Sequence, residues 1–402
     1  MPEGTAIYVV RRGDTVDSIA AAYGVDVGTI IRDNQIIYPY ELALGQALFI
    51  DLGTRQPYRS LRVTGYAYPY INETVLADTL PYLSELAIFS YGFTTQGQLL
   101  PPALPDDWMI TMALQNGTAP ILTLTPLDEQ GRFSNYLIHN VVQNQEAVNR
   151  LIDNLLETMA QKGYQGVDID FEYILAEDRE AFTDFVWQVA ERMRANGYHT
   201  SVALAPKTSA DQKGVLYEGK DYRALGEAAD HVLLMTYEWG YTYGPPMAVA
   251  PLNQVRRVVE YAVSEIPPRK IDLGIPNYGY DWPLPFVRGE TKATSIGNVQ
   301  AVRIAIEQDV PIRFDEVAQS PFFTYSQAGE NAPQEGGSEG AVVPRGDAVS
   351  VEHEVWFEDV RSLQGKFDLI REFDLGGCGY WQIMRWFAAN WRLLYKNFYT
   401  EK

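Results

Sequence analysis

The alternation of apolar and polar positions divides the chain into two rhythms. Over residues 7–50 the elements are short. Ile7-Tyr8-Val9-Val10 reads as a strand, and Arg11-Arg12-Gly13-Asp14 as a turn. Asp14 or Thr15 can cap a following helix, whose apolar stripe is Ile19, Ala20 and Tyr23 and whose end is Gly24. Val27, Ile30 and Ile31 mark a second helix closing at Asn34, and Leu44–Ile50 reads as a turn and a returning strand. This predicts a βααβ module over residues 1–50, followed by a Gly/Pro-containing linker over 51–60.

From Leu61 the rhythm changes. Eight short apolar segments read as strands: Val63–Tyr68, Leu86–Phe93, Pro120–Thr125, Gly166–Glu172, Thr200–Ala205, His231–Tyr237, Ile271–Tyr278 and Gly376–Gln382. Helical stripes lie between them, such as Val148, Leu151, Ile152, Leu155 and Met159 before Gly163. Regular strand–helix units over 61–402 predict an α/β fold, a (β/α)8 TIM barrel. A doubly wound open sheet is the competing arrangement. Residues from about 282 to 355 exceed what one helical crossover needs and read as a small α+β insertion before strand eight. Within it Ser295–Glu307 reads as helix, Pro321–Tyr325 and Val355–Phe357 as strands, and Gly329–Gly346 as a mobile loop.

Composition narrows the function. A hydrophobic content of 46% over 402 residues supports a large core. The net charge of −20 argues against nucleic acid and anionic membrane as partners and is compatible with a neutral or glycan one. A single cysteine, Cys378, excludes an internal disulfide and a cysteine zinc site. No basic segment followed by a long apolar run opens the chain, so no secretory signal is recognised, and no stretch reaches the length of a membrane span.

The stretch Gly166-Val167-Asp168-Ile169-Asp170-Phe171-Glu172 carries the chemistry. Its period of two puts Asp168, Asp170 and Glu172 on one strand face and the apolar residues on the other. Like charges at that spacing raise one another's pKa, which suits a general acid. A solvated acidic face and an oxygen-ligand metal site are the other readings of three such acids. The barrel context favours the first, because active sites lie at the C-terminal strand ends. Two carboxyls projecting from one strand cannot easily straddle a sugar ring. A single acid with a helper fits better, the nucleophile coming from the substrate. His139, His199, His231 and His353 show no ligand or triad spacing and read as structural.

These motifs resemble known families. The run from Tyr8 to Val25, then Asn34, then Leu44–Ile50, is similar to LysM modules. That resemblance implies N-acetylglucosamine-containing glycan binding through Gly13, Asp14, Thr15 and the stretch at and after Asn34. The acid-rich strand, Met235-Thr236-Tyr237 and Gly379-Tyr380-Trp381-Gln382 resemble the family 18 glycoside hydrolases, with Gln165 where that family has a further acid and Glu238 after the tyrosine. Tyr66-Ala67-Tyr68, Ser320–Tyr325 and His353–Asp359 are similar to its bacterial spore-germination branch. The resemblance implies Glu172 as general acid and base, Asp170 orienting a 2-acetamido group, Tyr237 bonding its carbonyl and Asp168 supporting Asp170. It places Trp381 under the sugar, with Met235, Tyr66, Asn277 and Tyr278 as further cleft candidates. It implies a retaining, substrate-assisted hydrolase of peptidoglycan, spore cortex in particular, with no cofactor and no metal, in the cell envelope or spore. A chitinase or endo-β-N-acetylglucosaminidase, and a non-hydrolytic lectin, are the alternatives.

Overall fold

The computed structural model of the chain describes residues 2–328 and 350–402. The loop expected over Gly329–Gly346 lies outside them. In the N-terminal module, Thr5–Val9 and Ala47–Asp51 pair antiparallel, with Thr5 opposite Asp51. Helices Val16–Tyr23 and Val27–Asp33 lie between them. Thr15 Oγ1 accepts from Ser18 N, and Gly24 closes the first helix at φ 65°, a left-handed position that favours glycine. Val16, Ile19, Ile30, Leu48 and Ile50 close a small core of their own.

Eight parallel strands follow: Ser60–Ala67, Glu85–Phe93, Ala119–Leu124, Gly166–Ile169, His199–Leu204, His231–Leu234, Ile271–Pro276 and Gly377–Trp381. The first pairs with both the second and the eighth, so the sheet closes into a barrel. Outward residues pack on the helices: Val167, Ile169 and Phe171 join Phe182, Phe185 and the stripe Val148, Leu151, Leu155 in the main core. Inward residues fill the barrel, with Tyr66, Ala87, Phe89, Ile121 and Leu233 forming the interior cluster. The period-two alternation of the strands therefore maps onto the two faces of one closed sheet, the outer one covered by the helical stripes.

Two expectations need correction. The fourth strand was expected to reach Glu172 but ends at Ile169. The neighbouring strand ends at Leu124, whose carbonyl takes a last hydrogen bond from Asp170 N at 2.9 Å; beyond it the ladder has no further rung. Ser295 and Ile296, expected in a helix, belong to the strand Thr294–Ile296, paired with Gly279 and Tyr280. The helix Asn298–Glu307 begins only after Gly297.

That strand edges a five-stranded antiparallel sheet inserted between barrel strands seven and eight. Its order is Thr294–Ile296, Gly279–Leu284, Ser350–Trp356, Ser320–Ala328 and Arg313–Asp315. The N-terminal module packs against this insertion and the C-terminal helix Ala388–Asn397. Leu44 O accepts from Ile312 N at 2.8 Å, and Gln35 Oε1 from Ala388 N at 2.7 Å. Asp33 pairs with Arg392 at 3.3 Å, and Phe49 reaches the barrel's main core. Gly45 allows the approach: a Cβ there would stand 2.0 Å from Ile312 O. The connecting stretch lies along the same helix, Arg55 Nε donating to Tyr395 O at 3.0 Å. Among the described residues, no helix is long and apolar enough to cross a membrane.

Candidate active site

The C-terminal strand ends gather the candidate residues in layers. Deepest is Asp168, on the fourth strand and 1% exposed. Its Oδ2 accepts from Tyr66 Oη at 2.9 Å and its Oδ1 from Ser201 Oγ at 2.6 Å. Burial raises its pKa while the two hydroxyls lower it, leaving a net rise. One pleat higher, Asp170 is 6% exposed and its Oδ1 has no hydrogen-bond partner. Burial first, then the charges of Glu172 and Asp168, push it well above the ordinary carboxylate range, against the pull of Lys220. Glu172 stands above, half-buried, its pKa also raised by burial and opposed by Lys220. The three acids thus form a column from barrel interior to mouth, each held toward its protonated form. A carboxyl whose pKa is raised at a cleft mouth is suited to donating a proton to a leaving oxygen.

Tyr237 lies just past the sixth strand, which ends at Leu234. Burial and the charges of Asp170 and Glu172 suppress its ionisation, so it stays a hydroxyl donor facing the acids. Its ring fits because position 274 is glycine: a Cβ there would stand 2.8 Å from Tyr237 Cε1. Trp381 ends the eighth strand, and its peptide bond to Gln382 is cis. Its ring contacts Tyr66, Tyr68 and Phe89 edge-on, with centroids 5.9, 6.1 and 5.0 Å away. Met235 is half-buried and packs with these rings in the interior cluster. Together they offer a half-open aromatic surface of the kind on which sugar rings stack.

Other candidates take structural positions. Asn277 is buried, and its amide nitrogen donates to Gln382 O at 3.2 Å and Arg385 O at 2.9 Å, so it fixes the loop after strand eight rather than facing the cleft. Tyr278 is buried too, and its hydroxyl donates to Glu238, joined by that of Tyr280 at 3.0 Å. Glu238 itself sits at φ 66°, an uncommon backbone for a non-glycine residue. Tyr66 is buried, bonded to Asp168 and packed against the edge of Trp381.

In the N-terminal module, Asp14 Oδ2 accepts from Tyr8 Oη and Arg11 N, both at 2.7 Å, and Thr15 is the helix cap. Gly13 sits exposed in that turn at φ 89°. Asn34 donates both amide hydrogens, to Ile30 O and Phe49 O, each at 2.9 Å. Its side chain ties the second helix to the returning strand. The stretch after it, with Ile37 and Tyr38 exposed, remains the open surface of this region.

Two features escaped the sequence. Lys220, after the fifth strand, is fully buried, and its Nζ has no hydrogen-bond partner. Burial lowers its pKa to about 8, while Asp170 and Glu172 hold it up. A lone lysine in a loop carries no motif, so only the folded chain reveals it. His199 and His231, read as isolated, meet at the other end of the barrel, with Glu85 between them. Residues on different strands have no sequence spacing to betray their contact.

Comparison with known proteins agrees with this geometry. A profile of the LysM domain matches residues 8–51, and one of the glycosyl hydrolases family 18 matches residues 131–385. The cortical fragment-lytic enzyme of Bacillus subtilis (strain 168) is 38% identical, over 98% of this chain and 99% of the relative. The crystal structure of the Bacillus cereus spore cortex-lytic enzyme SleL superposes with a TM-score of 0.88 at 33% identity, covering 99% of both chains. A chitinase from Chromobacterium violaceum ATCC 12472 superposes with a TM-score of 0.73 at 25% identity, covering 84% of this chain and 98% of that one. With a closed barrel, an acid column at its mouth and whole-length relatives of this kind, the chain belongs to family 18 of the glycosyl hydrolases.

Proposed function

We propose that this enzyme hydrolyses peptidoglycan, the spore cortex in particular, cleaving after N-acetylglucosamine with retention of configuration. The acid column carries the mechanism: Asp168 on the fourth strand and Asp170 and Glu172 in the segment that continues it come from one short stretch of chain, so no pair of them flanks a sugar from opposite sides. In a retaining hydrolase with two protein carboxyls, these stand about 5–5.5 Å apart on either side of the scissile bond. Here Glu172 protonates the glycosidic oxygen and later takes a proton from water. Asp170, whose Oδ1 is unpartnered, accepts the N–H of the substrate's 2-acetamido group. The acetamido carbonyl attacks the anomeric carbon, the bond to the leaving oxygen breaks, and an oxazolinium ion forms. Tyr237 donates to that carbonyl oxygen as it becomes part of the ring. Water then reopens the ring at the anomeric carbon. Trp381 stacks under the sugar.

The choice of cortex over other N-acetylglucosamine polymers rests on the likeness to the cortical fragment-lytic enzyme along the whole chain. The N-terminal module supplies a second glycan contact, and a place in the spore or cell envelope follows from the same likeness. The test is product analysis by mass spectrometry on purified spore cortex, chitin and an N-glycoprotein. Release of cortex fragments with reducing N-acetylglucosamine ends, at rates well above those on the other two, is expected. Preferential cleavage of chitin would move the assignment to a chitinase.

A further inference from the structure

At the end of the barrel opposite the cleft, three strands each begin with a residue that can bind metal: Glu85, His199 and His231. Their donor atoms lie within 4.8 Å of one another. His199 Nε2 is 3.1 Å, and His231 Nε2 3.5 Å, from the same atom, Glu85 Oε1. Neither Nε2 makes a well-formed hydrogen bond to any group. Tetrahedral zinc, with ligands at about 2.0–2.2 Å, places neighbouring ligand atoms about 3.3–3.6 Å apart.

The surroundings are those of a built site. His231 Nδ1 lies 2.7 Å from Asp272 Oδ2 without a well-aligned hydrogen bond in this structure, close enough for a carboxylate that could orient a metal-binding imidazole. Asp272 is in turn gripped by Arg62 through Nη2 at 2.6 Å and Nε at 3.0 Å. Thr64 Oγ1 donates to the other oxygen of Glu85 at 2.8 Å. Gly166 makes room for the His199 ring, since a Cβ there would stand 2.7 Å from Nε2. Glu85 and His231 are buried, while the His199 side chain is 30% exposed and leaves a path from solvent.

We propose that Glu85, His199 and His231 bind a divalent transition-metal ion of the zinc class at the floor of the barrel, as a structural site separate from catalysis. With neutral imidazoles, the carboxylates of Glu85 and Asp272 face only the guanidinium of Arg62, which leaves one net negative charge beside the imidazoles and favours a cation there. The competing arrangement is metal-free: an imidazolium at His231 bridging Glu85 and Asp272. Burial opposes that imidazolium, but its two carboxylate neighbours favour it. Metal binding must therefore displace a proton from this network.

The test uses the full chain, stripped with chelator and then dialysed against zinc at pH 8. Elemental analysis should find one zinc per chain, and the melting temperature should rise with zinc concentration. Cobalt substitution should give the intense visible absorption of a tetrahedral site. His199→Ala, which leaves the His231–Asp272–Arg62 cluster whole, should abolish stoichiometric zinc. Thr64→Val, an isosteric change at the group that orients Glu85, should weaken affinity about 10–100-fold. If the wild-type chain retains no more zinc than His199→Ala, or if its melting temperature ignores zinc, the cluster is an ion-pair network and the proposal fails.

Discussion

Tyr66 donates its hydroxyl to Asp168 Oδ2 at 2.9 Å, joining the first barrel strand to the fourth beneath the cleft. With Ser201 on the other oxygen, Asp168 has its hydrogen bonds met. Asp170, one pleat above and equally dry, has an oxygen with no partner at all. On the proposed mechanism, the satisfied acid supports the one left free to meet substrate.

Asp170→Asn is therefore expected to stabilise the fold while removing activity. The folded-state pKa of Asp170 is raised, so stability is lost as pH climbs from the ordinary carboxylate value up to the folded one, and the loss is complete above it. The amide removes this loss. Calorimetry should show a gain on the order of 2 °C or more in melting temperature at pH 8, shrinking toward pH 4. A variant less stable than wild type at pH 8 would mean that the carboxylate is well solvated or paired.

Glu172→Gln is expected to lower turnover at least about 100-fold, the size of a general-acid contribution, with little change in melting temperature or glycan binding. A variant retaining more than about a tenth of wild-type turnover would remove Glu172 from the role of acid.

Lys220 should set the alkaline limit of the reaction. Its ammonium lowers the pKa of both Asp170 and Glu172. Lys220→Met takes away that cation, so Glu172 holds its proton to higher pH, and the alkaline limb of kcat/KM moves upward. Replacing a buried ammonium that has no hydrogen bond by an apolar chain of similar length should leave the melting temperature unchanged or higher. An unmoved limb, or one displaced to lower pH, would show that Lys220 does not act on the acid.

The barrel was legible because its eight inward–outward alternations and their helical stripes are local patterns. So was the acid column, since Asp168, Asp170 and Glu172 recur at a period of two within one short stretch, although only Asp168 lies on the strand itself. What the sequence hid was made by contacts between strands: Lys220 against the acids, His199 beside His231, and the use of Asn277 on the 382–385 loop. The seat of the N-terminal module was hidden for the same reason. Residues 51–60 read as a linker, yet Phe49 enters the barrel core and Arg55 lies 3.7 Å over the Tyr395 ring.

That seat changes what removal of residues 1–51 should do. Phe49 and Ala43 contribute to the cores of barrel and insertion, and their loss uncovers apolar surface. The truncated chain should melt several degrees lower and lose activity on insoluble wall. On short soluble glycans, assayed well below its melting point, it should stay within about threefold of wild type, because the module contributes effective concentration on a polymer. Equal loss on both substrates would show that the module helps to shape the cleft.

The last prediction concerns the nucleophile. Glu172, Asp170 and Asp168 come from one short stretch at the end of the fourth strand, and Glu238, another acid near Tyr237, is held by the hydroxyls of Tyr278 and Tyr280. None is placed to attack from the far side of a sugar that Glu172 protonates, so the acetamido group must do so. A substrate lacking the acetyl group on the cleaved sugar should not react. A thiazoline mimic of the ring-closed intermediate should inhibit, because catalysis binds such species more tightly than substrate. Tyr237→Phe should lower kcat more than it raises KM, since its hydrogen bond strengthens as the carbonyl oxygen enters the ring. Two displacements at one carbon return the β-configuration. An α-anomer as the first product, seen by NMR during early turnover, would require water to attack directly and would exclude participation by the substrate.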